Sequence, residues 1–175
     1  MRIQQMMSVV TGVVMVAALA ASPVASAAVD MFMKIDGIPG ESKDTVHAGE
    51  IDVLAWSLGA SKSIKPDCVR VQDMSFTKYV DAASPKLITS LGTGQVIPNA
   101  KLTVRRAGGT PLEYILVEMS NVIVSSLSTG GSGGEDRLTE NVTLSFASMK
   151  FTYTPEPAGG VPGTPVVANI ANTCR

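Results

Sequence analysis

The only histidine in the sequence, His47, is the first residue to consider for catalysis. A histidine that acts as a general base must lie beside a nucleophile such as a serine hydroxyl. The sequence contains no Gly-x-Ser-x-Gly motif to supply that serine, and His47 ends a polar stretch between two predicted strands. We therefore expect an exposed loop histidine, no catalytic residue, and a protein that is not an enzyme.

Four charged residues, Glu135, Asp136, Arg137 and Glu140, follow a glycine-rich run. Paired carboxylates can perform acid–base chemistry or bind Ca²⁺. The alternating acidic residues of a calcium-binding loop are absent, so we expect no metal site here. The cluster is better interpreted as solvated, or as forming ion pairs between subunits.

The glycine-rich run itself, residues 128–134, has the composition of a phosphate-binding loop. Such a loop ends in lysine followed by serine or threonine and opens a helix. This run is followed instead by Glu135-Asp136, whose carboxylates repel phosphate, and then by a predicted strand. The run is therefore predicted to be structural, and we expect no cofactor.

The two cysteines, Cys68 and Cys174, have a spacing that matches no zinc-binding pattern. In an exported protein an isolated pair indicates a disulfide bond. That bond would form either within one chain or between neighbouring subunits. Two unpaired thiols on loops are the remaining alternative.

Residues 1–27 have the three-part pattern of a secretory signal peptide. Arg2 is followed by an apolar run over residues 7–21, then by Pro23 and the small residues Ala25-Ser26-Ala27. We expect cleavage after Ala27 and export to the periplasm or the medium. The remaining chain has 13 basic and 15 acidic residues, a net charge of −2. This balance argues against nucleic acid or a membrane surface as a main partner.

Most of the remaining chain alternates apolar and polar residues with the period of a β-strand. Such runs lie at residues 29–36, 51–56, 69–72, 101–105, 114–119, 122–124, 142–146 and 150–154. One short helix is predicted, with Ser84 as its N-cap, Pro85 at its first position, and Gly92 or Gly94 at its end. The pattern predicts an all-β domain over residues 28–154, either a barrel or a sandwich. The Pro/Gly-rich tail, residues 155–175, is expected to be loosely ordered.

Several sequence blocks, in one order along the chain, resemble the haemolysin-coregulated protein (Hcp) family, the tube proteins of type VI secretion. The blocks are Asp30-Met31-Phe32-Met33-Lys34-Ile35 with Gly40-Glu41-Ser42, residues 50–57, residues 71–79 with Ser84-Pro85-Lys86-Leu87, residues 101–109, and residues 124–146. The resemblance extends over residues 29–153. It departs from the family in the secretory signal, in a short loop over residues 60–67, and in the Pro-rich tail.

The resemblance implies a two-sheet β-barrel with one short helix and no catalytic residues. It implies a homo-oligomeric ring, expected to be a hexamer, that stacks into a tube and carries effector proteins in its lumen. Contacts within and between rings are expected from one loop, called here the contact loop: Glu41, Ser42, Lys43, Asp44, Thr45, Val46, His47 and Glu50. Because it is charged and lacks an apolar run, this loop is expected to be exposed in the monomer. The alternative function is an exported ring that binds proteins without a contractile sheath.

Overall fold

The computed structural model describes residues 29–64, 67–106, 111–155 and 161–173. The predicted signal peptide and Cys174 lie outside these residues. Within them the chain forms nine strands and one helix. The strands are β1 Val29–Ile35, β2 Ile51–Ser57, β3 Ala60–Ile64, β4 Asp67–Val71, β5 Met74–Tyr79, β6 Ile97–Arg106, β7 Leu112–Gly130, β8 Thr139–Tyr153 and β9 Val166–Ala171, and the helix is α1 Ser84–Thr93.

Seven strands form one antiparallel sheet in the order β5-β2-β1-β6-β7-β8-β9. An additional pairing between β5 and β8 closes six of them into a barrel. Strands β3 and β4 form a separate two-stranded sheet. The prediction of an all-β barrel with one short helix is confirmed.

The barrel core is built from the inward-facing residues of each alternating strand. Met33, Ile51, Met74, Leu102 and Leu144 are completely buried there. The barrel strands turn mainly apolar side chains inward at every second residue, and closing the barrel removes these faces from water. Burial of a side chain of this size contributes about 1.5–3 kcal/mol.

Helix α1 lies against β7 and buries Leu87. The predicted N-cap is wrong, because Ala83 occupies that position without a side-chain cap and Ser84 is already helical. The Ser84 hydroxyl is instead used by a buried charge network described below. Gly94 ends the helix in the left-handed conformation, with φ of 64°, as one of the two predicted stops.

The tail is more ordered than its composition predicted, because Val166–Ala171 forms strand β9 against β8. Strand β5 pairs only with the first part of β8, so residues 148–153 of β8 have an open edge that β9 fills. Backbone amides left at such an edge need hydrogen-bond partners, and a Pro/Gly-rich segment can supply them. Ile170 also packs against the core.

The end of the tail connects to the β3–β4 sheet. The Thr173 amide donates to the Val69 carbonyl at 2.9 Å, and the Val69 amide donates to Thr173 Oγ1 at 2.8 Å. Cys68, beside Val69, is buried and disulfide-bonded, and no described cysteine is free. Residues 60–64, which were predicted as loop, form the first strand of this hairpin.

Candidate assembly surfaces

Glu140 does not belong to a solvated cluster, which corrects the prediction made from its sequence neighbours. It is 1% exposed and is the register partner of the fully buried Lys78 on β5. Lys78 Nζ donates to Glu140 Oε1 and to Asp81 Oδ1, both at 2.7 Å. The Ser84 hydroxyl donates to Glu140 Oε1 at 2.7 Å. This network joins β5, β8 and the start of α1 inside the barrel.

The rest of the predicted cluster is exposed, at the tip of the β7–β8 hairpin. The Arg137 guanidinium lies over the Tyr79 ring at 3.8 Å from its centroid. The Val80 amide donates to the Leu138 carbonyl at 2.9 Å. These two contacts fix the base of the tip, and Glu135 and Asp136 project from it into solvent.

His47 is buried, contrary to the prediction of an exposed loop histidine. Its ring stacks on Phe32, with centroids 4.2 Å apart. Nδ1 lies 3.0 Å from Glu50 Oε2, and Nε2 lies 3.3 Å from Glu113 Oε1 without the geometry of a hydrogen bond. The contact loop folds back over the outer face of β1, which the local sequence does not reveal. His47 therefore anchors the loop.

Asp44 and Arg105 form a second anchor for the contact loop. Arg105 donates from Nη1 and Nη2 to the two carboxylate oxygens of Asp44, at 3.1 and 2.5 Å, and from Nη2 to Asp30 at 2.9 Å. Asp44 also accepts the amides of Val46 and His47. The bonds from Arg105, and then those amides, hold the pKa of the Asp44 carboxyl well below its usual range.

The two ends of the contact loop meet at Gly40. Its amide donates to the Gly49 carbonyl at 2.8 Å, and the Ser42 amide donates to the Glu50 carbonyl at 2.9 Å. A Cβ at Gly40 would lie 2.5 Å from the Glu50 carbonyl oxygen. Only glycine allows the two backbone segments to approach this closely.

The contact loop thus has two sides, and the prediction that it is exposed holds only in part. Ser42 and His47 are buried, and Asp44 and Glu50 are half-buried. The outward side consists of Glu41, Lys43, Thr45 and Val46, all exposed. Val46 is 69% exposed, so the loop presents an apolar side chain to solvent.

An open groove of about 730 Å³ lies on the β1-β6-β7-β8-β9 part of the sheet. A row of directly opposed residues crosses all five strands within it: Lys34, Lys101, Glu118, Lys150 and Asn169. Sequence analysis did not identify this row, because each member is an ordinary polar residue of an alternating strand. Only the register of the sheet brings the lysines together.

The described residues contain no group of three or more His, Cys, Asp or Glu side chains that could hold a metal ion. No helix in this part of the chain is long and apolar enough to cross a membrane. Of the titratable groups singled out from the sequence, His47 and Glu140 form internal contacts, whereas Glu135, Asp136 and Arg137 lie at the exposed tip.

Comparison with known proteins assigns the family. The model of "Type VI secretion system effector, Hcp" matches residues 32–153, which is most of the chain. Protein hcp1 of Pseudomonas aeruginosa is 53% identical over 142 residues, covering 76% of this chain and 88% of that protein. The chain therefore belongs to the Hcp family of type VI secretion.

Solved structures agree with this assignment. Hcp1 from Salmonella typhimurium superposes with a TM-score of 0.72 at 37% identity, covering 82% of this chain and 94% of that one. A type VI secretion system effector from Yersinia pestis gives a TM-score of 0.68 at 35% identity, covering 81% and 99%. The resemblance noted in the sequence is confirmed.

Proposed function

We propose that this protein is a structural subunit that assembles into closed homo-oligomeric rings, hexameric in the simplest case, which stack into a tube. The observation that carries the proposal is the family match over residues 32–153, which spans the barrel from β1 to β8. The rings would hold effector proteins in their lumen. A structural role, rather than catalysis, agrees with the use of His47 and Glu140 in internal contacts.

The outward side of the contact loop is the proposed site of contact within and between rings. The inward anchors, Asp44 on Arg105 and His47 on Phe32, hold the loop in one conformation before assembly. A pre-organised loop loses less conformational entropy on binding than a mobile one. Exposed Val46 then supplies apolar area at the contact.

Light scattering tests this function on the chain that starts at Ala28, purified under oxidising conditions. We expect a mass of about six subunits at micromolar concentration. A stable monomer over the same range would overturn the proposal.

We also propose that the protein is exported, cleaved after Ala27, and closed by a disulfide bond between Cys68 and Cys174. The hydrogen bonds between Val69 and Thr173 bring the neighbour of each cysteine together within one chain. They favour the intrachain bond over an interchain bond. Closing a loop of this length stabilises a protein by about 4–5 kcal/mol in the chain-entropy model.

The expected result is that protein recovered from the periplasm or medium begins Ala28-Val29-Asp30 and has no free thiol after denaturation. Non-reducing gels should show a single monomer band whose mobility changes on reduction. The matched control is the double substitution C68S/C174S, which should show no such change. Two free thiols, or a ladder of covalent oligomers, would contradict the intrachain bond. Cytosolic protein with an intact Met1 would contradict export.

A second candidate function is an exported ring that binds proteins without a contractile sheath. The predicted signal peptide favours it, because export through a secretory route separates the protein from a cytoplasmic assembly. Release of the protein into the medium distinguishes the two functions. Release that continues in cells lacking the sheath supports the second function, and release that stops supports the first.

A further inference from the structure

Two lysines face each other in the groove, and neither has an ion-pair partner among the described residues. Lys34 on β1 and Lys101 on β6 are direct register partners. Like charges placed directly opposite on neighbouring strands destabilise a sheet. In the described part of the chain, neither ammonium group has a carboxylate within ion-pair distance.

Two carboxylates also line the groove, but neither forms an ion pair with Lys34 or Lys101. Glu118 Oε2 lies 2.8 Å from Nζ of Lys150, and Asp36, which keeps its negative charge, accepts a hydrogen bond from the Asn99 side chain at 3.0 Å. The groove therefore carries three lysines against two carboxylates, a net positive charge. An anionic group bound there would remove the repulsion.

The same chain presents a matching anionic feature on the tip of the β7–β8 hairpin. Glu135 and Asp136 are adjacent and exposed, and within the described residues neither carboxylate forms an ion pair. Glycines precede them at residues 130, 131, 133 and 134, so the tip is narrow. Two unpaired anions on a slender tip complement two unpaired cations in a groove.

The tip and the groove lie far apart along β7. Glu118 lies in the groove row, whereas the tip begins after Gly130, twelve residues further along the strand. An extended strand of that length covers about 40 Å. Two different complementary patches at opposite ends of one hairpin produce a heterologous, head-to-tail contact, which is the kind that closes a ring.

We propose that Glu135 and Asp136 of one subunit dock in the groove of the next subunit, against Lys34 and Lys101. This inference rests on the proposed ring and names the contact that orients each subunit head-to-tail against the next. The desolvated charges at this contact determine which surfaces pair.

Charge reversal tests the contact in the full mature protein. The double variants K34E/K101E and E135K/D136K should each raise the concentration at half-assembly about tenfold or more, because each places like charges in contact. The quadruple variant, which combines both reversals, should recover ring assembly. Thermal unfolding of each variant checks that the subunit remains folded.

The matched control is R70E/K86E, which reverses two exposed cations outside the groove, one on β4 and one on α1, by the same total charge. It should assemble like the wild type. If a reversal variant does not fold, the neutral variants K34Q/K101Q and E135Q/D136N replace it, and each should weaken assembly and reduce its salt dependence.

The outcomes separate this inference from the ring proposal. A wild-type protein that stays monomeric overturns the ring itself. If the wild-type protein forms rings and both reversal variants still form them, only the docking contact is overturned. Loss of rings in K34E/K101E without rescue in the quadruple variant assigns the groove to another anionic partner and likewise overturns the proposal.

Discussion

Replacement of Glu140 with alanine is expected to lower the free energy of unfolding by about 3 kcal/mol, because it removes two buried charge-assisted hydrogen bonds while Asp81 still compensates the Lys78 charge. The substitution leaves the ammonium group of Lys78 in the barrel core, where it is fully buried. Lys78 would retain Asp81 and Ser84 as partners but lose its register partner on β8. Urea unfolding of the variant and the wild type measures the difference.

Two controls distinguish a buried ion pair from an exposed one. Glu118→Ala breaks the ion pair with Lys150, in which both side chains are about half exposed, and should cost about 0–1 kcal/mol. The triple substitution K78M/D81N/E140L removes all three charges of the network and should recover much of the stability lost in the single variant. A cost for Glu140→Ala no larger than that for Glu118→Ala would contradict the network described here.

The second large effect is expected at Gly40, where alanine should cost about 1–3 kcal/mol and weaken ring assembly. Its Cβ would lie 2.5 Å from the Glu50 carbonyl oxygen and 2.7 Å from Ile51 Cα. Both are backbone atoms, so one end of the contact loop must move. That movement disturbs the anchors at Asp44 and His47 on which the loop conformation depends.

Gly92→Ala, in α1, is the matched control, because a Cβ there meets nothing within 4 Å. Thermal unfolding and light scattering should show no loss for Gly92→Ala and a clear loss for Gly40→Ala. Equal behaviour of the two variants would show that the backbone at residues 40 and 50 is free to separate, which contradicts the closed base of the loop.

The sequence does contain a signal for the buried ion pair between Lys78 and Glu140. Lys78 continues the inward alternation of Met74 and Phe76, and Glu140 begins that of Val142 and Leu144. Period-two alternation predicts that both charged residues face the core. A buried charge is costly without a partner, so an inward-facing lysine on one strand and an inward-facing glutamate on another are expected to pair. The prediction of a solvated cluster was wrong for Glu140 because it grouped this residue with its sequence neighbours rather than with the strand alternation.

The burial of His47 and the strand β9 had no comparable signal. His47 is buried because it stacks on Phe32, whose side chain lies on the outer face of β1 and is covered by the folded-back loop. Strand β9 exists because β5 leaves part of the β8 edge open. Both depend on contacts between distant segments, which local composition does not encode.

The barrel was predictable for the opposite reason. Alternation in the strands and the Pro85 and Gly94 boundaries of α1 are local properties. The order of the blocks shared with the Hcp family then specified how these elements combine. The lysine row required the register of five strands, so it became visible only in the structure.

Electron microscopy of the oxidised chain that starts at Ala28, at micromolar concentration, shows directly whether the subunit closes into a ring. We expect closed rings with six-fold symmetry, some of them stacked, whose diameter does not change with further increase in concentration. Uniform particles of single-subunit size, with the barrel folded, would contradict ring assembly.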